Sequence, residues 1–343
     1  MNIPGTQRPF VVVGENIHTT RVLSRKGKLV GSDDAGNDVI RFRDAEGKRR
    51  TLAIPEAYKK TQDYEEGRVK HLKIAIQDAM AGGTDGMDYL RRQIQRQEEA
   101  GSDFLDLNVD ELSLKPEEQY AGMRWLVGAV DTLGGTPLAI DSSNIETIRA
   151  GLEAARQANG TGPLMLNSAS LERLDALDLA SEYRAQVIIT AAGESGMPQD
   201  ATERLDHAGR MVEAATHKGI ALADLYIDPL VFPISVDSQY GNHSFEAIRR
   251  LRQTFGDEIH ITGGFSNVSF GLPCRRLIND VFLLLAVEAG ADSAIMDPTA
   301  TALDEVFALD RTARPYRLAE DMLLGHDEYC ASFLRAYRKG ELA

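Results

Sequence analysis

Phe104-Leu105-Asp106-Leu107-Asn108, a helical pattern over residues 117–130, Pro137-Leu138-Ala139-Ile140-Asp141, and a second helical pattern over residues 145–157 follow one another directly. This stretch decides the fold. Each short apolar run has strand length, and each intervening segment places apolar residues such as Met123, Leu126 and Val127 on one side of a helix. Strand–helix–strand–helix order builds parallel βα units. Moving outward, the same rhythm recurs at Phe10-Val11-Val12-Val13, Leu164-Met165-Leu166-Asn167, Val187-Ile188-Ile189-Thr190, Leu225-Tyr226-Ile227-Asp228, the run holding Ile259 and Ile261, and Ser293-Ala294-Ile295-Met296-Asp297. About eight such units predict an α/β chain of the (β/α)8 TIM barrel class. A doubly wound sheet is the competing architecture, but no Gly-x-Gly-x-x-Gly follows an early strand.

One region breaks the rhythm. Val39-Ile40-Arg41-Phe42-Arg43 and Arg50-Thr51-Leu52-Ala53-Ile54 alternate about the turn signal Glu46-Gly47-Lys48, which reads as an antiparallel hairpin. A polar helix over residues 64–80 is expected next, broken at Gly82-Gly83, with Thr84 or Asp85 capping a helix to about Ala100. The chain thus reads as one barrel domain, 1–343, with an insertion at about 21–84 after the first strand, on the catalytic face. A role in docking a partner or covering the mouth is the expectation for it.

Composition narrows the function. The 343 residues carry a net charge of −14, which speaks against a nucleic-acid binder held by phosphate contacts. The charge is uneven: residues 1–70 hold 14 Lys and Arg against 10 Asp and Glu, leaving 24 against 42 for the rest. Cys274 and Cys330 make neither a disulfide framework nor a metal spacing. No signal-peptide pattern and no long apolar run is visible, so a cytoplasmic protein without membrane contact is expected.

The strand ends carry the chemistry. They read Glu15-Asn16, Asp106 with Asn108, Asp141, Asn167, Thr190, Asp228, residues 264–267 and Asp297. An apolar strand needs no carboxylate or amide at its last position in order to fold, and in a barrel these ends share the face where active sites sit. Lysine is absent between Lys115 and Lys218 and again up to Lys339, so no strand end from the third onward offers a Schiff-base nucleophile. The histidines are scattered, only His260 falls in an expected strand, and no bound metal is expected. Amides and acids of this kind suit a heterocycle bearing N–H, amino and carbonyl groups, such as a pterin or purine. Helix capping is the competing reading for Asp141 and Asp228.

Together with Leu105-Asp106-Leu107-Asn108-Val109, Ile140-Asp141-Ser142-Ser143-Asn144, Leu166-Asn167-Ser168, Tyr226-Ile227-Asp228-Pro229-Leu230 and Gly264-Phe265-Ser266-Asn267-Val268-Ser269, the chain resembles the pterin-binding methyltransferases. These pass a methyl group between tetrahydrofolate and a corrinoid. The resemblance implies a barrel, often a homodimer, with the folate in its C-terminal mouth and the corrinoid (cobalamin) carried by a partner protein. It implies that Asp141, Asn167 and Asp228 hold the pterin ring, that Gly264 and Ser266 offer backbone contacts, and that Arg275 lies near the folate. Asn267 matches the amide that hydrogen-bonds the reacting nitrogen N5; with Asp228 it is the expected catalytic pair. Glu15, Asn16, Asp106 and Asn108 are further rim candidates. The Ser-Phe-Gly-Leu-Pro-x-Arg run after Asn267 resembles members of demethylating systems, so transfer from methylcorrinoid to tetrahydrofolate is expected. Dihydropteroate synthase is one rival, although its strand-end lysine is missing here; a non-catalytic pterin-binding subunit is another.

Overall fold

The computed structural model describes residues 1–159, 162–194 and 196–342. Eight strands alternate with helices: β1 (Val11–His18), β2 (Phe104–Asn108), β3 (Leu138–Asp141), β4 (Leu164–Ala169), β5 (Gln186–Thr190), β6 (Leu225–Asp228), β7 (His260–Ile261) and β8 (Ser293–Met296). They form one sheet in the order β7-β6-β5-β4-β3-β2-β1-β8, with β2 and β3, β5 and β6, and β6 and β7 paired in parallel. The two ends of that order meet. Asp292 N–H donates to the Ile261 carbonyl and Ile295 N–H to Gly263. With α1 (Thr84–Glu99), α2 (Pro116–Leu133), α3 (Ile145–Asn159), α4 (Asp175–Tyr183), α5 (Ala201–His217), α6 (Tyr240–Phe255) and α7 (Arg275–Ala289), this is a (β/α)8 barrel.

The chain divides into two compact units, Gly14–Met165 and Met1–Val13 with Leu166–Ala343, and both divisions fall inside strands, in β1 and β4. In the first unit, β2 is buried along its whole length, its leucines alternating with the polar Asp106 and Asn108 on the opposite face. Gly14 lets α1 approach β1: a Cβ there would stand 2.5 Å from Gln97 Oε1 and 2.6 Å from Ser102 Oγ. The same Gln97 oxygen accepts the Asn16 backbone N–H at 3.1 Å. Strand β1 therefore runs on past the expected end at Glu15-Asn16 and stops at His18.

The insertion holds more strand than its sequence pattern suggests. Val30–Ser32 joins Asp38–Arg43 and Arg49–Ala53 in a three-stranded antiparallel sheet. The helix expected over residues 64–80 is in fact two, Gln62–Glu65 and His71–Met80. Gly67 at φ +82° ends the first, and Arg68–Val69 pairs with Leu23–Ser24 before the second begins. Neither Thr84 nor Asp85 caps α1; its N-cap is Gly83, and the Gly86 N–H is taken by Asp78 Oδ2 at 2.8 Å. The insertion docks on α1 through Phe42 edge-on to Tyr89 at 5.0 Å and Arg50 bonded to Asp85 and Asp88.

In the second unit, the buried face of α7 (Ile278, Val281, Phe282) packs with Phe245 of α6 and with Phe265. At the start of β8, Asp292 is fully buried and collects Arg252 at 2.9 Å, His260 at 2.9 Å, Arg8 at 3.2 Å and the Ile261 N–H. His260 also stacks on Tyr226 at 4.4 Å. It serves that structural knot, as its strand position suggests.

Candidate active site

Within Gly14–Met165, the carboxyl ends of β1, β2 and β3 converge. Parallel pairing places Asn108 directly opposite Asp141, and Asn108 Nδ2 donates to Asp141 Oδ2 at 2.9 Å. Two residues earlier on the same face of β2, the fully buried Asp106 pairs with His18 Nε2 at 2.8 Å. His18, Asp106 and Asp141 bring one nitrogen and two oxygens within 4.8 Å of one another. Asp110 follows in the loop after β2. Its N–H donates to Asn108 Oδ1 at 3.0 Å, and its carboxylate accepts the Ser142 hydroxyl and the Ser143 N–H. Glu15 lies on β1 and pairs with Arg21 at 3.2 Å.

This crowding sets the charges. Burial works against a charged His18, but its hydrogen bond to Asp106 and the charges of Asp106, Asp141 and Glu15 outweigh it, pushing the imidazole up to about 9. Burial and the charge of Asp106 push Asp141 up to about 7, with His18 and the Asn108 hydrogen bond holding it back. Asp141 is no helix cap. The residue before α3 is Asn144, whose Oδ1 accepts the Glu146 N–H at 2.9 Å. His18 was missed as a site residue because β1 was expected to end before it; the Gly-Glu-Asn-Ile-His run offered the signal.

Within the second unit, Asp228 ends β6 and accepts the Leu230 N–H at 2.8 Å. Burial pushes its carboxyl up to about 6, opposed by that hydrogen bond, the charge of Arg204 and a hydrogen bond from Gly264 N–H. Helix α6 begins only at Tyr240, so Asp228 caps no helix either. Gly263 gives the site its close packing, since a Cβ would stand 2.8 Å from the Phe265 ring and 3.0 Å from Asp228 Oδ1. The chain then winds into a short 3-10 turn, Phe265–Ser269, anchored by Arg275 at the start of α7. Arg275 donates to the Ser266 carbonyl and to Ser269 Oγ, each at 2.9 Å. The turn presents Asn267 to solvent, and among the described residues no protein hydrogen bond engages its side-chain amide. Asn167 is buried in β4.

Arg204 is the second residue that sequence reading missed. It lies on α5, fully buried, and donates to the carbonyls of Pro229 at 2.8 Å, Leu230 at 3.3 Å and Asp200 at 3.0 Å. It fixes the loop that carries on from Asp228, in which Leu230 adopts φ +64°.

The sequence-expected residues thus fall into two groups. Asp106, Asn108 and Asp141 come together around His18, while Glu15 pairs with Arg21 and Asn16 uses its backbone against α1. Asp228 meets Gly264, and Arg275 meets Ser266.

Comparison with known proteins matches residues 81–297 to the family described as pterin binding enzyme. The methylcorrinoid:tetrahydrofolate methyltransferase of Eubacterium limosum is 32% identical over 264 residues, 74% of this chain and 89% of that protein. The methionine synthase of Mycobacterium leprae (strain TN) is 30% identical over 215 residues, 58% of this chain but 17% of that protein. Among solved structures, dihydropteroate synthase from Stenotrophomonas maltophilia with active site-bound imidazole gives a TM-score of 0.52 at 20% identity, covering 65% of this chain and 86% of that one. Yersinia pestis dihydropteroate synthase with a sulfonamide drug gives 0.51 at 19%, covering 65% and 85%. These structures share the fold. The chain belongs to the pterin-binding enzyme family and is one of its methyltransferases.

Proposed function

We propose that the chain moves a methyl group from a methylated corrinoid, carried by a partner protein, to N5 of tetrahydrofolate. The observation that carries this reading is the exposed, uncommitted amide of Asn267 on a turn braced by Arg275. The similarity to the methylcorrinoid:tetrahydrofolate methyltransferase of Eubacterium limosum supports the substrates and the direction.

N5 attacks the methyl carbon, the cobalt–carbon electron pair stays on cobalt as Co(I), and N5 passes its proton to solvent water once the new bond has formed. The corrinoid supplies the reactive metal, so the chain need offer no nucleophile. Its residues position and stabilise. The Asn267 amide oxygen accepts the N5 proton's hydrogen bond, which strengthens as positive charge builds on that nitrogen. Asp141, Asn167 and Asp228 hold the pteridine edge, with the Gly264 and Ser266 backbone and Arg275 beside them. An Asp carboxylate can accept paired N–H groups of the aminopyrimidine.

The chain works as one pterin-binding domain, 1–343, in a cytoplasmic homodimer. The insertion, leaving the carboxyl end of β1, docks the corrinoid protein; deleting it with no change in transfer rate would refute that role.

Stopped-flow mixing of methylcobalamin with enzyme and tetrahydrofolate, followed by Co(I) absorbance, tests the main reading. Asn267→Ala should slow transfer by about 10²-fold while leaving tetrahydrofolate affinity within a fewfold. Equal loss of rate and affinity, or no Co(I) with wild-type enzyme, would overturn it.

A further inference from the structure

Three acids surround one imidazole in the unit Gly14–Met165. Asp106 of β2 bonds His18 at 2.8 Å, Asp141 of β3 lies within 4.8 Å of both, Glu15 of β1 adds its charge to the imidazole, and Asp110 adds a further negative charge beside Asp141. Asp106 is fully buried and the His18 side chain is 14% exposed. Two acids this close and this shielded from water do not both stay ionised without a cation between them. Arg21, on the loop after β1, is paired to Glu15. Asn108 gives Asp141 one neutral donor.

We infer that the His18 imidazolium is a positioning charge for the methyl-transfer site: it favours the ionised form of Asp141, the form able to accept the N–H groups of the pteridine. The inference rests on the proposed reading of Asp141 as a pteridine contact. His18 touches no reacting atom in this scheme; it acts through Asp141. A neutral residue at position 18 leaves Asp106 to repel Asp141 unopposed, and Asp141 takes up a proton. The carboxylic acid then turns one of its two acceptors into a donor, which mismatches a pair of N–H groups.

The test is the pH dependence of tetrahydrofolate binding from pH 6 to 9.5 for wild type, His18→Asn and His18→Lys. Difference infrared spectra of the ligand-free proteins add a direct readout, the carboxylic acid C=O band assigned by its loss in Asp141→Asn. For His18→Asn, affinity at pH 7 should fall by about fivefold, because a one-unit rise of the Asp141 titration from about 7 cuts its ionised fraction from about one half to about one tenth. The deficit should close by pH 9.5, and the acid band at pH 7 should be stronger than in wild type. His18→Lys should recover most of the affinity. A deficit of the same size at every pH, or an acid band in His18→Asn no stronger than in wild type, overturns the inference. So does 15N NMR of the wild-type protein showing neutral His18 at pH 7, a measurement that needs no variant to fold. If the infrared change appears but wild-type protein binds no tetrahydrofolate at any pH, the charge relation stands and the functional reading fails.

Discussion

Replacing Arg204 by methionine keeps most of the side chain's apolar volume and removes its guanidinium. Three backbone carbonyls, of Asp200, Pro229 and Leu230, then lose a charged donor inside the protein. A hydrogen bond to a charged group contributes about 1.5–3 kcal/mol, but water entering the gap recovers part of three such losses. A buried acceptor left without a donor costs about 1–3 kcal/mol, so three of them with partial rehydration should cost on the order of 3–5 kcal/mol in total. It corresponds to a fall in melting temperature on the order of 5–10 °C for a chain of this size. The effect should reach the site, because Leu230 is held at φ +64° between the Arg204 contact and the Asp228 hydrogen bond. Released from one of them, it relaxes and pulls its N–H from Asp228, so tetrahydrofolate affinity should fall about tenfold, the effect of losing one hydrogen bond of about 1.4 kcal/mol. Arg204→Lys keeps a charge but not the planar fork that reaches three acceptors, so it should fall between. Calorimetric melting and titration with tetrahydrofolate measure both effects. A methionine variant within about 1 kcal/mol of wild type and with unchanged affinity would refute the idea that this arginine fixes the Asp228 loop.

Two further outcomes follow from the same geometry. Gly263→Ala drives a methyl group to 3.0 Å from Asp228 Oδ1 and 2.8 Å from the Phe265 ring. It should cost about 1–3 kcal/mol and weaken tetrahydrofolate binding with little effect on the far end of the barrel; unchanged affinity by calorimetry would count against Asp228 as a ligand-holding group. The His18 imidazole, raised from 6.5 to about 9 in the folded protein, stabilises the fold fully below pH 6.5 and loses that contribution as pH rises through 9. Its size is about 3 kcal/mol. The stability gap between wild type and His18→Asn should therefore shrink from pH 6.5 to 9.5 in denaturant titrations, and a gap independent of pH would show that the imidazole is not charged.

The barrel was legible because its signal is local. Runs such as Leu138-Ala139-Ile140 and Val187-Ile188-Ile189 need only their own composition to announce a buried strand, and α2 and α5 show their period within one segment. The polar strand ends were legible for a related reason: Asp106, Asn108, Asp141 and Asp228 stand where an apolar run gives no cause for them. The capping alternative for Asp141 could not be excluded by sequence, since Asn144 three residues on is as good a cap; only the hydrogen bond from Asn108 across the β2–β3 register decides it. Strand β1 was cut short for the opposite reason. Gly14 and Asn16 look like a turn until Gln97 of α1 is placed against them, 81 residues after Asn16.

His18 and Arg204 share that cause. A histidine or an arginine in isolation reads as a solvated side chain, and what makes either one matter is a partner far along the chain. Asp106 lies 88 residues beyond His18, and Pro229 lies 25 beyond Arg204. Both cations sit beside acids that the strand pattern had already marked, Asp141 for His18 and Asp228 for Arg204, and both hold down carboxyl groups that burial alone would drive toward the neutral form. An apolar barrel that ends its strands in acids requires such counter-charges, because carboxylates shielded from water cannot accept a ligand's N–H groups once protonated. The acids visible in sequence therefore demand cations, and only the folded chain shows which of the 38 lysines and arginines and 7 histidines meet the demand.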